Sequence, residues 1–198
     1  MAGQDHQSQK QRLKASVDRR KAAAQEEKGL LIVTTGAGKG KSTAAMGMAL
    51  RCVGHGMKVA IIQFVKGAIE TGESKALAHF PDLVEFHRLG EGFTWETQNR
   101  ERDIEMAQKA WDVTKQYLQD PSFSMVILDE LNIILRNDYL PLSDVIADLK
   151  AKPAMQHVVV TGRSAKQELI DAADLVTEMG MVKHPFRKGI KAQQGVEF

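Results

Sequence analysis

The chain reads as an α/β fold of three layers, a mostly parallel sheet with helices on both faces. Three observations predict it. Short apolar runs alternate along the sequence with segments of helical periodicity. Several runs, such as Leu30-Leu31-Ile32-Val33 and Met125-Val126-Ile127-Leu128, are apolar at successive positions, as strands buried on both faces must be. The residues best suited to chemistry also fall at or after strand ends, where open α/β sheets gather their ligands. At 198 residues, 43% of them hydrophobic, the chain is long enough for one domain with a full core.

Taken in order, residues 1–28 differ from the domain expected over 29–198. Lys10, Arg12, Lys14, Arg19, Arg20, Lys21 and Lys28 mix with Asp18, Glu26 and Glu27, and only Leu13 and Val17 offer an apolar stripe. The Ala, Lys, Arg and Gln content favours a helix that has little to bury. The segment reads either as a solvated arm or as a mobile basic flap that closes on an anionic ligand.

The first strand, Leu30 to Val33, leads into Thr34-Thr35-Gly36-Ala37-Gly38-Lys39-Gly40-Lys41-Ser42-Thr43. A helix from Ser42 should turn Met46, Ala49, Leu50 and Val53 inward and stop at Gly54-His55-Gly56. Cys52, the single cysteine, rules out an intrachain disulfide and reads as a small core residue. Lys58 to Val65 is a second strand, Ser74 to His79 a short helix ended by Pro81, and Leu83 to Leu89 an alternating strand. Gly90 to Thr97 is a glycine-rich loop holding Phe93 and Trp95.

From Asn99, the positions Ile104, Ala107, Trp111, Thr114 and Leu118 recur at helical spacing, which makes Trp111 core. Then come a strand Met125–Leu128, a helix Leu142–Lys150, a strand His157–Thr161, a helix over about 165–172, and a short strand Leu175–Met179. From Val182 the tail is basic and irregular. The histidines show no clustered metal spacing; His55, His79, His87 and His157 read as structural.

The chemistry centres on the loop after the first strand. A buried strand, a glycine loop and a helix opening at Lys-Ser make a phosphate-binding loop. Glycines let backbone N–H groups turn inward, and the helix N-terminus adds partial positive charge. Lys41 is placed to reach phosphate oxygens and the Ser42 hydroxyl to ligate Mg²⁺. The usual spacing calls for glycine where Thr35 stands; Gly36 serves instead, so the loop is one residue short. Asp129-Glu130 closes a buried strand, where an acid either holds Mg²⁺ beside the phosphates or caps the strand. Arg163 is a phosphate clamp or an exposed surface arginine. Phe93 and Trp95 either pin their loop to the core or wall a large flat ligand.

A formal net charge of +2 argues against a protein that coats nucleic acid. No apolar run approaches the length of a membrane span, and the polar N-terminus is unlike a signal peptide. A cytoplasmic protein with no membrane or nucleic-acid partner is expected.

Gly36-x-Gly38-Lys39-Gly40-Lys41-Ser42-Thr43-Ala44-Ala45, Val53-Gly54-His55-Gly56, Gln63-Phe64-Val65-Lys66-Gly67 and Gly72-Glu73 together resemble the ATP:corrinoid adenosyltransferase family. So do Gly92-Phe93-Thr94-Trp95-Glu96-Thr97-Gln98-Asn99, Leu128-Asp129-Glu130-Leu131, Thr161-Gly162-Arg163 and Val182-Lys183-His184. The likeness spans essentially the whole chain. Ala37 departs from the family's usual Asn and Ser42 from its usual Thr; Ser42 keeps the hydroxyl, whereas Ala37 loses a polar group. The resemblance implies transfer of the 5′-deoxyadenosyl group of ATP to Co(I) of a corrinoid, with release of triphosphate. The substrates implied are ATP and a cob(I)yrinic acid a,c-diamide or cob(I)alamin, in cobalamin biosynthesis or salvage.

The family binds ATP reversed along its phosphate loop. By that likeness Gly36, Ala37, Gly38, Lys39, Gly40, Lys41, Ser42 and Thr43 would hold triphosphate, with Arg163 beside them and Lys41 stabilising the leaving group. Ser42 and Glu130 would hold Mg²⁺ or Mn²⁺, and Phe93 and Trp95 would line the corrinoid side. A homodimer, a covering N-terminal arm and electrons from a flavin-containing reductase system are further implications. The rivals are a P-loop kinase or NTPase, which would release ADP, and a protein that binds ATP or corrinoid without chemistry.

Overall fold

The structure is a computed structural model and describes residues 2–65, 70–89 and 99–197. Lys66, Phe93 and Trp95 lie outside them. The described chain runs α1 (Ala2–Ala23), β1 (Leu31–Thr35), α2 (Lys41–Gly54), β2 (Lys58–Gln63), α3 (Gly72–Leu77) and β3 (Val84–Arg88). It continues through α4 (Arg100–Gln119), β4 (Phe123–Asp129), α5 (Leu131–Arg136), α6 (Leu142–Lys150), β5 (His157–Thr161), α7 (Gln167–Ala172) and β6 (Leu175–Glu178). A short 3₁₀ turn, Pro185–Lys188, interrupts the tail.

The six strands form one sheet in the order β3-β2-β4-β5-β1-β6, and every pairing is parallel. Side chains of a strand alternate between its faces. Leu31 and Val33, Ala60 and Ile62, Val126 and Leu128, and Val158 and Val160 therefore join one core beneath α4 to α7. Ile32, Val59 and Ile61, Met125 and Ile127, and Val159 join the other, beneath α2 and α3. Three layers follow because both faces of the sheet are apolar.

Trp111 is core as expected, 6% exposed, and its indole N–H donates to Asp148 Oδ2 at 2.9 Å, tying α4 to α6. Gln156 is buried ahead of β5. Its amide donates to the carbonyls of Tyr117, Asp120 and Phe123 at 3.0–3.1 Å, so one side chain gathers the end of α4 and the start of β4. His157 Nδ1 accepts the Leu30 N–H at 3.1 Å, and His87 Nε2 lies 2.6 Å from the Tyr117 hydroxyl.

Some expectations are corrected. Leu50 is 55% exposed, because the α2 stripe that meets the sheet is Ala45, Met46, Ala49, Cys52 and Val53. The short third helix starts at Gly72 and ends at Leu77, since the Thr71 hydroxyl caps it by accepting the Ser74 N–H. His55 and His79 are exposed turn residues. Helix α5 was not anticipated. Helix α1 carries its described side chains almost wholly exposed, Leu13 at 66% and Val17 at 39%. Among the described residues no helix is long and apolar enough to cross a membrane.

Candidate functional site

The carboxyl ends of β1, β2, β4 and β5 meet at one sheet edge, around a cleft of about 500 Å³. Its floor is the loop between β1 and α2. Gly36 and Gly40 have φ of 98° and 103°, a left-handed backbone that suits glycine. Gly38 is held by proximity instead. A Cβ there would fall 2.5 Å from the Gly180 carbonyl oxygen, and its N–H donates to the Met179 carbonyl at 2.6 Å. Met179 N–H in turn donates to the Thr35 carbonyl at 2.9 Å. The chain leaving β6 thus buttresses the loop from below.

Gly38, Lys39, Gly40, Lys41, Ser42 and Thr43 line the cleft; Gly36 and Ala37 do not. Gly36 packs under the loop against Met179, and Ala37 is exposed. Lys41 is only 7% exposed, and its ammonium donates to the carbonyls of Gly36 at 2.9 Å and Gly38 at 2.5 Å. Burial lowers its pKa. Glu130 and Asp129 oppose that shift, while Arg163 and Lys39 reinforce it. That mutual influence locates three cations and two carboxylates around the loop, a field suited to a polyanion with a bound cation.

Glu130 faces the loop from the junction of β4 and α5 and lines the cleft, as does Arg163 from beyond β5. Asp129 is fully buried behind them. Its Oδ2 accepts from Gln63 Nε2 at 2.9 Å and its Oδ1 from the Thr161 hydroxyl at 2.7 Å. Ser42 sits in the first turn of α2. Among the described residues no group of three or more His, Cys, Asp or Glu side chains could cage a metal by themselves. Ser42 and Glu130 nevertheless supply hard oxygen donors beside the phosphate loop. That donor set fits Mg²⁺, which commonly takes one or two protein oxygens and completes its shell with phosphate and water.

Several cleft residues escaped sequence reading. Thr71, Gly72 and Glu73 also line it. Gly195, Val196 and Glu197 fold back to the cleft from the tail, and Glu197 pairs with the Lys39 ammonium. Gly72 and Glu73 stood only in the motif string, and nothing local marks the tail. Phe93 and Trp95 fall outside the described residues, so no wall of the cleft is assigned to them.

A family model described as "ATP:corrinoid adenosyltransferase BtuR/CobO/CobP" matches residues 27–198. A corrinoid adenosyltransferase of Pseudomonas aeruginosa is 56% identical over 195 residues, 98% of this chain and 96% of that protein. One from Sinorhizobium sp is 57% identical over 187 residues, covering 93% and 87%. The corrinoid adenosyltransferase CobA of Salmonella typhimurium is 48% identical over 198 residues, all of both chains. Among solved structures, the flagellar accessory protein FlaH from Methanocaldococcus jannaschii aligns with a TM-score of 0.51 at 13% identity, over 77% of this chain and 71% of that one. The last likeness concerns the fold alone.

Proposed function

The chain belongs to the ATP:corrinoid adenosyltransferase family, and on that premise we propose that it transfers the 5′-deoxyadenosyl group of ATP to Co(I) of a corrinoid. The electron pair of Co(I) attacks C5′ of the ribose. The C5′–O5′ bond breaks, its pair leaves on the triphosphate, and cobalt becomes formally Co(III) in the new Co–C bond. No proton transfer is needed, so the protein's task is to orient C5′ and to stabilise charge gathering on the leaving oxygen.

The observation that carries this reading is the cationic loop, Lys39 and Lys41, lining one cleft together with Arg163 and Glu130. Loop amides from Gly38 to Thr43 would cradle triphosphate while Lys41 turns from the loop carbonyls to its oxygens. Ser42 and Glu130 would hold Mg²⁺, which when bound neutralises charge on the departing triphosphate. Phe93 and Trp95 would press on the corrinoid and exclude water from its lower face. A flavin-containing reductase would supply the electron that makes Co(I), a homodimer would be the working form, and the exposed basic α1 would cover the filled site.

The test is to mix the protein with Mg-ATP and chemically reduced corrinoid and identify the phosphate product by ³¹P NMR. Triphosphate in step with alkylcobalt absorbance supports the proposal. ADP with phosphate would instead favour a kinase or NTPase, and binding without product a carrier.

A further inference from the structure

Glu130 stands on backbone that its own residue type does not favour. Its φ is 65° and its ψ 18°, a left-handed conformation that glycine adopts freely and most L-residues avoid. Its amide meets the neighbouring strand. Glu130 N–H donates to Thr161 Oγ1 at 2.9 Å, and the same hydroxyl donates to Asp129 Oδ1 at 2.7 Å. A backbone N–H only donates, so Thr161 Oγ1 accepts from Glu130 and its single proton is left for Asp129. The direction of the relay is therefore fixed. Gln63 on β2 completes it by donating to Asp129 Oδ2. Thr161 is itself fully buried, and its bond to Asp129 is shielded from water.

The next residue shapes the other end of Glu130. Gly162 has φ 125°, and a Cβ there would lie 3.1 Å from Glu130 Oε2 and 2.9 Å from Asn132 Cβ. Asn132 Nδ2 donates to the Gly162 carbonyl at 3.0 Å, which locks α5 to the end of β5. One dipeptide thus constrains both the amide and the carboxylate of the acid that faces the phosphate loop.

We propose that Thr161 is a positioning residue of the site: its hydroxyl holds the left-handed turn that aims Glu130 at the divalent cation travelling with the triphosphate. The inference rests on the reading of Glu130 as a metal-holding acid. Thr161→Val keeps the shape and removes the hydroxyl; Thr161→Ser keeps the hydroxyl and removes the methyl. Mn²⁺ titrated into each protein with ATP, followed by EPR, reads metal affinity directly, and ATP binding without metal is measured alongside.

Thr161→Val should weaken Mn²⁺ binding about tenfold or more, in the range seen when groups that orient metal ligands are lost. Its metal-free ATP affinity should stay within about twofold, and Thr161→Ser should restore Mn²⁺ binding. Equal loss of ATP affinity with and without metal, or unchanged Mn²⁺ affinity, overturns the proposal. If the valine protein does not fold, Thr161→Cys, a weaker partner, takes its place, and unchanged Mn²⁺ affinity there overturns it equally. Glu130→Gln separates the two readings. If it leaves Mn²⁺ binding intact, the metal role of Glu130 fails; if it weakens binding while Thr161→Val does not, only the positioning role fails.

Discussion

Replacing Lys41 by methionine tests the loop with little change of shape. The stem of Lys41 is buried, and its ammonium is held by the Gly36 and Gly38 carbonyls. Its pKa is nevertheless lowered, burial outweighing the pull of Glu130. A lowered lysine pKa means the folded site holds the neutral form better than water does, so the charge itself does not stabilise the fold near neutral pH. Lys41→Met should therefore leave the thermal midpoint within a few degrees of wild type. Transition-state stabilisation should suffer instead. One donor aimed at developing negative charge is worth about 2.7–4 kcal/mol, which is roughly 100- to 1000-fold in rate at tenfold per 1.4 kcal/mol. Rapid-quench measurement of triphosphate formation with pre-reduced corrinoid reads the rate, and a thermal melt of the same sample reads the fold. A rate within about threefold of wild type, from a folded protein, would refute the reasoning.

The remaining predictions concern the corrinoid side, the tail and pH. Phe93→Ala or Trp95→Ala should impair adenosylation mainly when Co(II) is supplied, and pre-reduced Co(I) should bypass much of the defect. Equal loss from both oxidation states would make them packing residues. Glu197→Gln removes a carboxylate that competes with phosphate for Lys39, so tripolyphosphate should bind up to about fivefold tighter by calorimetry, the scale of a partly exposed ion pair. Unchanged or weaker binding would show that Glu197 does not compete. His157 has a pKa lowered by burial and then by Lys152, and only its neutral ring can accept the Leu30 N–H. Because the unfolded chain binds that proton more readily, stability is lost as pH falls from the ordinary histidine value toward the folded one. Urea midpoints from about pH 7.5 to 5.5 should drop more steeply for wild type than for His157→Asn, and parallel slopes would contradict the assignment.

What the sequence made legible was local. Strand, glycine loop and helix follow one another between residues 30 and 50, so their spacing displays the phosphate loop without knowledge of neighbours. The two-sided strands were readable because apolar residues fill successive positions. Helix α5 was missed because six residues give periodicity little to work with, although Leu131, Ile134 and Leu135 do share a helical spacing. Leu50 was misplaced because the face of α2 that is buried depends on the sheet it meets. Gln63, Asp129 and Thr161 join only through the strand order β2-β4-β5, a non-local fact no short window contains. Met179 and Glu197 reach the loop for the same reason, from more than 130 residues away in sequence.

The proposed reaction forms a bond between cobalt and C5′ of ATP. ATP labelled with ¹³C at C5′, incubated with the protein, Mg²⁺ and pre-reduced corrinoid, tests it by ¹³C NMR. The label should appear in the cobalt-bound methylene carbon in amounts equal to the triphosphate released. Label that remains in ADP or AMP while ATP is consumed would contradict it.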